Sequence, residues 1–171
     1  RVSAEVTPHH LTLTDEDVLG YRTACKVNPP LREPADREAL IDALADGTLD
    51  CVATDRAPHA RAEKDCEFSE ALVGMVGLET CLPLLLDLVR AKRLTAARLV
   101  DALTRAPARA FGLEGGTLAE GQWADVAVLD PDAAWTVDPK GFRSKSRNTP
   151  FEGRAVRGRV EYTLYRGSVV F

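Results

Sequence analysis

The stretch Leu49-Asp50-Cys51-Val52-Ala53-Thr54-Asp55-Arg56-Ala57-Pro58-His59 constrains this chain more than any other. Its apolar run, Cys51-Val52-Ala53, is too brief for a helix and reads as a buried strand, which delivers a carboxylate, Asp55, and then an imidazole, His59, into a Pro-containing turn. Ahead of it, Glu33 to Gly47 has a helical pattern: Pro34 suits the first turn, Leu40, Ile41 and Leu44 share a face, and Gly47 suits a C-terminal stop. Further upstream, Val2 to Thr7 is β-rich. Strand, loop, helix, strand is the unit of a parallel sheet with a right-handed crossover helix. In barrels built from such units the carboxyl ends of the strands form the active face, which favours chemistry at Asp55. A plain cap of the following turn is the other reading, since Asp is a favoured turn residue.

With 171 residues, 45% of them hydrophobic and 28% charged, the chain can bury a core as a globular protein of one domain or slightly more. A net charge of −4 argues against general affinity for nucleic acid or an anionic membrane, because both usually need a basic face. The local cluster Arg143, Lys145, Arg147 reads as solvated surface. Cys25, Cys51, Cys66 and Cys81 form no Cys-x-x-Cys pair and read as reduced thiols of a cytoplasmic protein. No signal peptide is evident, and no apolar run approaches the roughly 20 residues of a membrane helix. The chain opens at Arg1 on strand-like sequence, so a longer parent polypeptide is expected.

Pro8-His9-His10 marks a second strand end. Neighbouring side chains on an extended segment point to opposite sides, so His9 and His10 are expected to make structural hydrogen bonds rather than share one ion. Thr14-Asp15-Glu16-Asp17 opens a short helical turn that ends by Gly20. Asn28 stands before Pro29 and Pro30, on backbone held extended; it either offers its amide to a polar ligand or bonds its own loop. Ala60 to Ala71 lacks an apolar period and reads as an active-face loop. It ends in Leu72-Val73-Gly74-Met75-Val76-Gly77, whose glycines let backbone approach a ligand, unless this is only a loop-to-helix junction.

A helix is predicted from about Leu78 to Ala91 with Leu82, Leu85, Leu86 and Val89 buried, another from Thr95 through Leu103 with Leu99 and Val100 inward, and a last turn around Pro107 to Phe111. Beyond Gly112 the pattern changes to short alternating segments: Trp123 to Leu129, Trp135 to Val137, Val156 to Leu164 and Ser168 to Phe171. A boundary near residue 112 is therefore expected, with a small β module over 113–171.

Four segments, Glu5-Val6-Thr7-Pro8-His9-His10, Lys26-Val27-Asn28-Pro29-Pro30-Leu31-Arg32, Thr54-Asp55-Arg56-Ala57-Pro58-His59 and Ser146-Arg147-Asn148-Thr149-Pro150-Phe151, together resemble the carboxyl-terminal part of the dihydroorotases of the amidohydrolase superfamily. The run Gly116 to Asp130 is similar to that superfamily's entry into its β-sandwich. The resemblance implies an α/β chain: the last strands and helices of a (β/α)8 metal-dependent hydrolase barrel over 1–112, then a small β-sandwich module. It implies one or two zinc ions, and interconversion of N-carbamoyl-L-aspartate and L-dihydroorotate in pyrimidine synthesis.

By the same resemblance Asp55 binds metal and shuttles the proton, Asn28 contacts substrate, His59 meets the substrate carboxylate region, and the Val73 and Gly74 backbone closes over the ring. A homodimer is implied, with other pyrimidine enzymes as candidate partners. Two departures stand out. Arg56 replaces the family's usual His, and the remaining metal ligands, a His-x-His pair among them, would precede Arg1. Because catalytic zinc sites normally use three or more protein ligands, the isolated 171 residues are expected neither to bind zinc tightly nor to hydrolyse dihydroorotate. Competing expectations are a hydantoinase or allantoinase, and a non-catalytic dihydroorotase-like partner protein.

Overall fold

In the computed structural model, which describes residues 2–171, a parallel strand pair is packed among helices, followed by an antiparallel sheet. The parallel pair is β1 (Glu5–Val6) and β2 (Cys51–Val52), with Glu5 opposite Cys51 and Val6 opposite Val52. Helix α1 (Pro34–Asp46) joins them, begun by Pro34 and stopped by Gly47 at φ 89°. The strand expected over Val2–Thr7 is thus only two residues long, though the parallel pairing and crossover helix are as read.

Residues 60–71 depart from the expected loop: Arg61–Lys64 forms a helical turn, α2, started by the Glu63 carboxylate accepting from the Ala60 amide at 2.7 Å. Helix α3 (Leu78–Arg90) follows, then α4 (Ala96–Leu103), capped by Thr95 Oγ1 accepting from the Arg98 amide at 3.1 Å, and α5 (Arg105–Phe111). In α3 the buried face is Thr80, Cys81, Pro83, Leu84 and Leu85, while Leu82, Leu86 and Val89 are only partly covered. The cause is that α3 lies between two cores and so buries a wider face than one apolar stripe predicts. In α4 Leu99 is buried with Ala102, whereas Val100 is 50% exposed. Three residues on from Leu99 returns to the same face, and one residue on does not.

One core gathers Val6, Leu11, Ile41, Leu44, Val52, Cys81, Leu85, Leu99 and Ala102, where β1 and β2 meet α1, α3 and α4. The other joins Leu13, Val27, Leu31, Met75 and Leu84 to Val137, Phe142, Phe151 and Val156, so apolar packing runs continuously across residue 112. Arg98 ties α4 to the β2 entry by donating to the carbonyls of Leu44 at 2.8 Å, Leu49 at 2.6 Å and Asp50 at 3.0 Å.

The antiparallel sheet has the order β3 (Val126–Thr136), β4 (Ala155–Tyr165), β5 (Ser168–Val169). Two strands expected separately, around Val126 and Trp135, are one here, interrupted by irregular register between Asp130 and Ala134. The Asp130 carboxylate turns the chain there by accepting from the amides of Asp132 and Ala133. Helix α3 packs close on β4 at Gly158, where an added Cβ would lie 2.3 Å from Leu86 Cδ1. Among the described residues no helix is long and apolar enough to cross a membrane, and all four cysteines are free.

Candidate active site

Asp55 follows β2 by three residues and is exposed, in the left-handed region at φ 45°. A non-Gly residue rarely adopts that conformation, and Asp tolerates it better than most. No hydrogen-bond or ion-pair partner of its carboxylate occurs among the described residues. The capping role left open by sequence is therefore not what the side chain does here.

The strand direction then continues as a second parallel pairing. Arg56 bridges to Met75, and the Ala57 amide donates to the Met75 carbonyl at 2.9 Å. That pairing brings His59 against the Val73–Gly74 segment, fourteen residues on: His59 Nε2 is 2.8 Å from the Val73 carbonyl. A carbonyl oxygen only accepts, so Nε2 carries the proton and Nδ1, 3.8 Å from the Glu63 carboxylate, is the open nitrogen. Gly74 cannot be replaced without movement. At φ +115° its added Cβ would lie 2.3 Å from the Ala57 Cβ and 3.5 Å from His59 Nε2.

Asn28 is exposed and lines a cavity of about 730 Å³ together with Val73, Lys26, Tyr21 and Phe68. Its loop is anchored from the turn after β1. His10 Nε2 donates to the Pro29 carbonyl at 2.9 Å, and Thr7 Oγ1 donates to His10 Nδ1 at 2.7 Å. Both nitrogens of His10 are thus engaged, and it orients rather than ligates. His9 is 2% exposed, and burial together with the neighbouring His10 lowers its pKa to about 3; its Nε2 has no partner. Thus Asn28 and Val73 share a cavity, and His59, Val73 and Gly74 form one unit. Asp55 stands beside that unit along the chain.

Arg56, where the resemblance implies His, is held by the segment between β3 and β4: its Nε donates to Ser144 Oγ at 3.2 Å, and Glu79 holds the same serine by accepting from its amide and hydroxyl.

Three residues without an assigned role in the sequence support this unit. Asn148 Nδ2 donates to the carbonyls of Ala57 at 3.0 Å and Gly74 at 3.2 Å, while its Oδ1 accepts from the His59 amide at 3.3 Å. Lys64, buried in the last turn of α2, donates to the carbonyls of Leu72 at 2.8 Å and Gly74 at 3.0 Å. Burial first, and Lys26 second, push its pKa below the usual lysine range. Lys26 holds the carbonyls of Phe68 and Ser69. Asn148 lies in the segment Ser146–Phe151 and Lys26 in Lys26–Arg32, both part of the resemblance, but Lys64 sits in a run of charges that gives no sign of burial.

No group of three or more His, Cys, Asp or Glu side chains able to hold a metal occurs among the described residues. Asp55 fits one position of such a site by its open carboxylate. The donors among the described residues do not complete one.

Comparison with known proteins places these features in context. Residues 43–171 match the model of the amidohydrolase family. A protein named dihydroorotase from Anaeromyxobacter sp. (strain K) is 58% identical over 99% of this chain and 40% of its own length, and one from Geobacter sp. (strain M21) is 51% identical over 100% and 40%. The chain therefore spans about 40% of the length of the curated relatives it matches. Among solved structures, the L-hydantoinase (dihydropyrimidinase) from Arthrobacter aurescens superposes with a TM-score of 0.93 at 35% identity, covering 99% of this chain and 39% of that one. The inactive dihydroorotase-like domain of the Chaetomium thermophilum CAD-like multifunctional protein gives 0.70 at 26% identity, covering 98% and 43%. The fold, the motif order and the match over residues 43–171 agree: the chain belongs to the amidohydrolase family.

Proposed function

We propose that this chain carries part of the active site of a zinc-dependent cyclic amidohydrolase, a dihydroorotase that interconverts N-carbamoyl-L-aspartate and L-dihydroorotate in de novo pyrimidine (UMP) synthesis. The observation that carries the reading is the open, partner-free carboxylate of Asp55 just past a parallel strand, in a chain 58% identical to a protein named dihydroorotase. On this reading residues 1–112 are the last strands and helices of a (β/α)8 barrel and 113–171 a small β-sandwich module. Asp55 is one metal ligand, and the remaining ligands lie upstream of Arg1.

Zinc, when bound, makes hydroxide available at neutral pH and polarises the amide carbonyl. Asp55 accepts the proton of the attacking water and returns it to the leaving ring nitrogen, as general base and then general acid. Asn28 and His59 hold the polar groups of the substrate, and the Val73–Gly74 backbone lies over the ring, so that part of the barrier is removed by orientation. The working assembly is a homodimer in the cytoplasm. Association with other pyrimidine enzymes is a further part of the proposal, supported by the likeness to a domain of a CAD-like multifunctional protein.

A hydantoinase-type activity is the second reading, favoured by the TM-score of 0.93 to an L-hydantoinase. The two separate by assay of the longest natural polypeptide containing this sequence, loaded with zinc, on dihydroorotate, hydantoin and allantoin. A kcat/KM at least about tenfold higher on dihydroorotate is expected, since a site built to bond a polar substituent rejects rings lacking it. Preference for hydantoin supports the second reading. A zinc-loaded protein that turns over none of them is a non-catalytic homologue.

A further inference from the structure

Among the described residues Lys64 is the most deeply buried lysine or arginine, at 7% exposure, and it lies outside every role given above to the reacting groups. A buried ammonium is costly unless its donors are satisfied. Here two bonds go to carbonyls that flank a single residue: Leu72 and Gly74, on either side of Val73. The carbonyl between them, that of Val73, goes instead to His59 Nε2. Three successive carbonyls are therefore shared between two side chains that approach from different elements, α2 and the turn after β2.

The other backbone groups of the segment are also taken, the Val73 amide excepted. The Gly74 amide donates to the Lys26 carbonyl at 2.8 Å, and the Gly74 carbonyl accepts a second bond from Asn148. The Val73 amide is left without a partner among the described residues. Val73 is itself 45% exposed and lines the cavity shared with Asn28. A donor with a fixed direction, on backbone that cannot rotate away, is what recognition of a ring carbonyl or carboxylate oxygen requires.

Resting on the reading of this site as that of a cyclic amidohydrolase, we propose that Lys64 is a positioning residue for substrate binding: by holding the Leu72 and Gly74 carbonyls it aims the free Val73 amide, with His59 locked beside it, at the polar edge of the bound ring. Lys64 touches no substrate. Its ammonium, with three donors on a long stem, satisfies two carbonyls from one buried point, which an apolar side chain of similar length does not.

The test compares wild type with Lys64→Met and Lys64→Gln in the longest natural polypeptide containing this sequence, metal-loaded, measuring metal content, melting temperature, kcat and KM. Lys64→Met is expected to raise KM for the cyclic substrate about tenfold or more with kcat and metal content nearly unchanged, and Lys64→Gln, which keeps two N–H donors, to fall between it and wild type. Residues that serve stability alone change melting temperature and the active fraction without moving KM. Should Lys64→Met fail to fold, Lys64→Gln carries the same comparison. Wild-type KM in a folded variant, a loss confined to kcat, or failure of both variants to fold overturns the proposal. A wild type that turns over no cyclic amide defeats the functional reading instead, so the two failures are distinct.

Discussion

At the residue scale, the site depends on a few backbone positions with little tolerance. Gly74→Ala brings a Cβ within 2.3 Å of the Ala57 side chain on backbone at φ +115°, so overpacking and strain add. A loss of about 2–4 kcal/mol in unfolding free energy is expected, read by urea titration. His9 supplies a pH signature. Its pKa of about 3 in the folded chain lies below the ordinary value of 6.5, so the folded state binds its proton less readily than the unfolded one. That contribution to stability is complete above pH 6.5 and is lost as pH falls from 6.5 toward 3. His9→Gln is expected to flatten the stability profile across that window, and an unchanged slope would contradict it. Both features show where sequence reading stops. Glycine at 74 was legible as a point of close approach, because Gly is the residue that permits it. The partner that makes it hard to replace, Ala57, comes from the segment after β2.

At the scale of elements, local signals were read well and tertiary ones less so. The bounds of α1 followed from Pro34 and Gly47, and those of α4 from Thr95, because caps and breakers act within a turn or two. The inward face of α3 did not follow from its leucines, since the helix serves two cores at once. The single long β3 was hidden by Pro131 and the aspartates around it, which read as a break and are a local irregularity in one strand. Lys64 was illegible for a similar reason: in sequence it is one charge among several, and only the fold of residues 60–74 buries it. Arg98 ties α4 to the α1–β2 junction through three backbone carbonyls, its guanidinium steadied by the Asp101 carboxylate of the same helix at 3.1 Å. Arg98→Met removes the guanidinium donors to the carbonyls at the α1–β2 junction. A loss of about 2–4 kcal/mol is expected, again by urea titration, and a loss below about 0.5 kcal/mol would show the carbonyls to be rehydrated instead.

At the scale of the whole molecule, the chain presents a good deal of apolar surface. Trp123, Tyr162, Tyr165, Val169 and Val170 are each more than half exposed around the antiparallel sheet, and the parallel pair has two strands only. With no three-donor cluster among the described residues, the isolated 171 residues are expected not to bind zinc tightly and to leave dihydroorotate unhydrolysed. Equilibrium dialysis with zinc and a turnover assay check both. Tight stoichiometric zinc in that preparation would mean that donors converge differently from the arrangement described. The central claim concerns one carboxylate, and the most direct measurement is the kcat for dihydroorotate of the longest natural polypeptide containing this sequence, against that of its Asp55→Asn form at matched zinc content. Loss of the proton carrier is expected to lower kcat by about 10²–10⁴-fold; an Asp55→Asn enzyme within threefold of wild type would contradict the account.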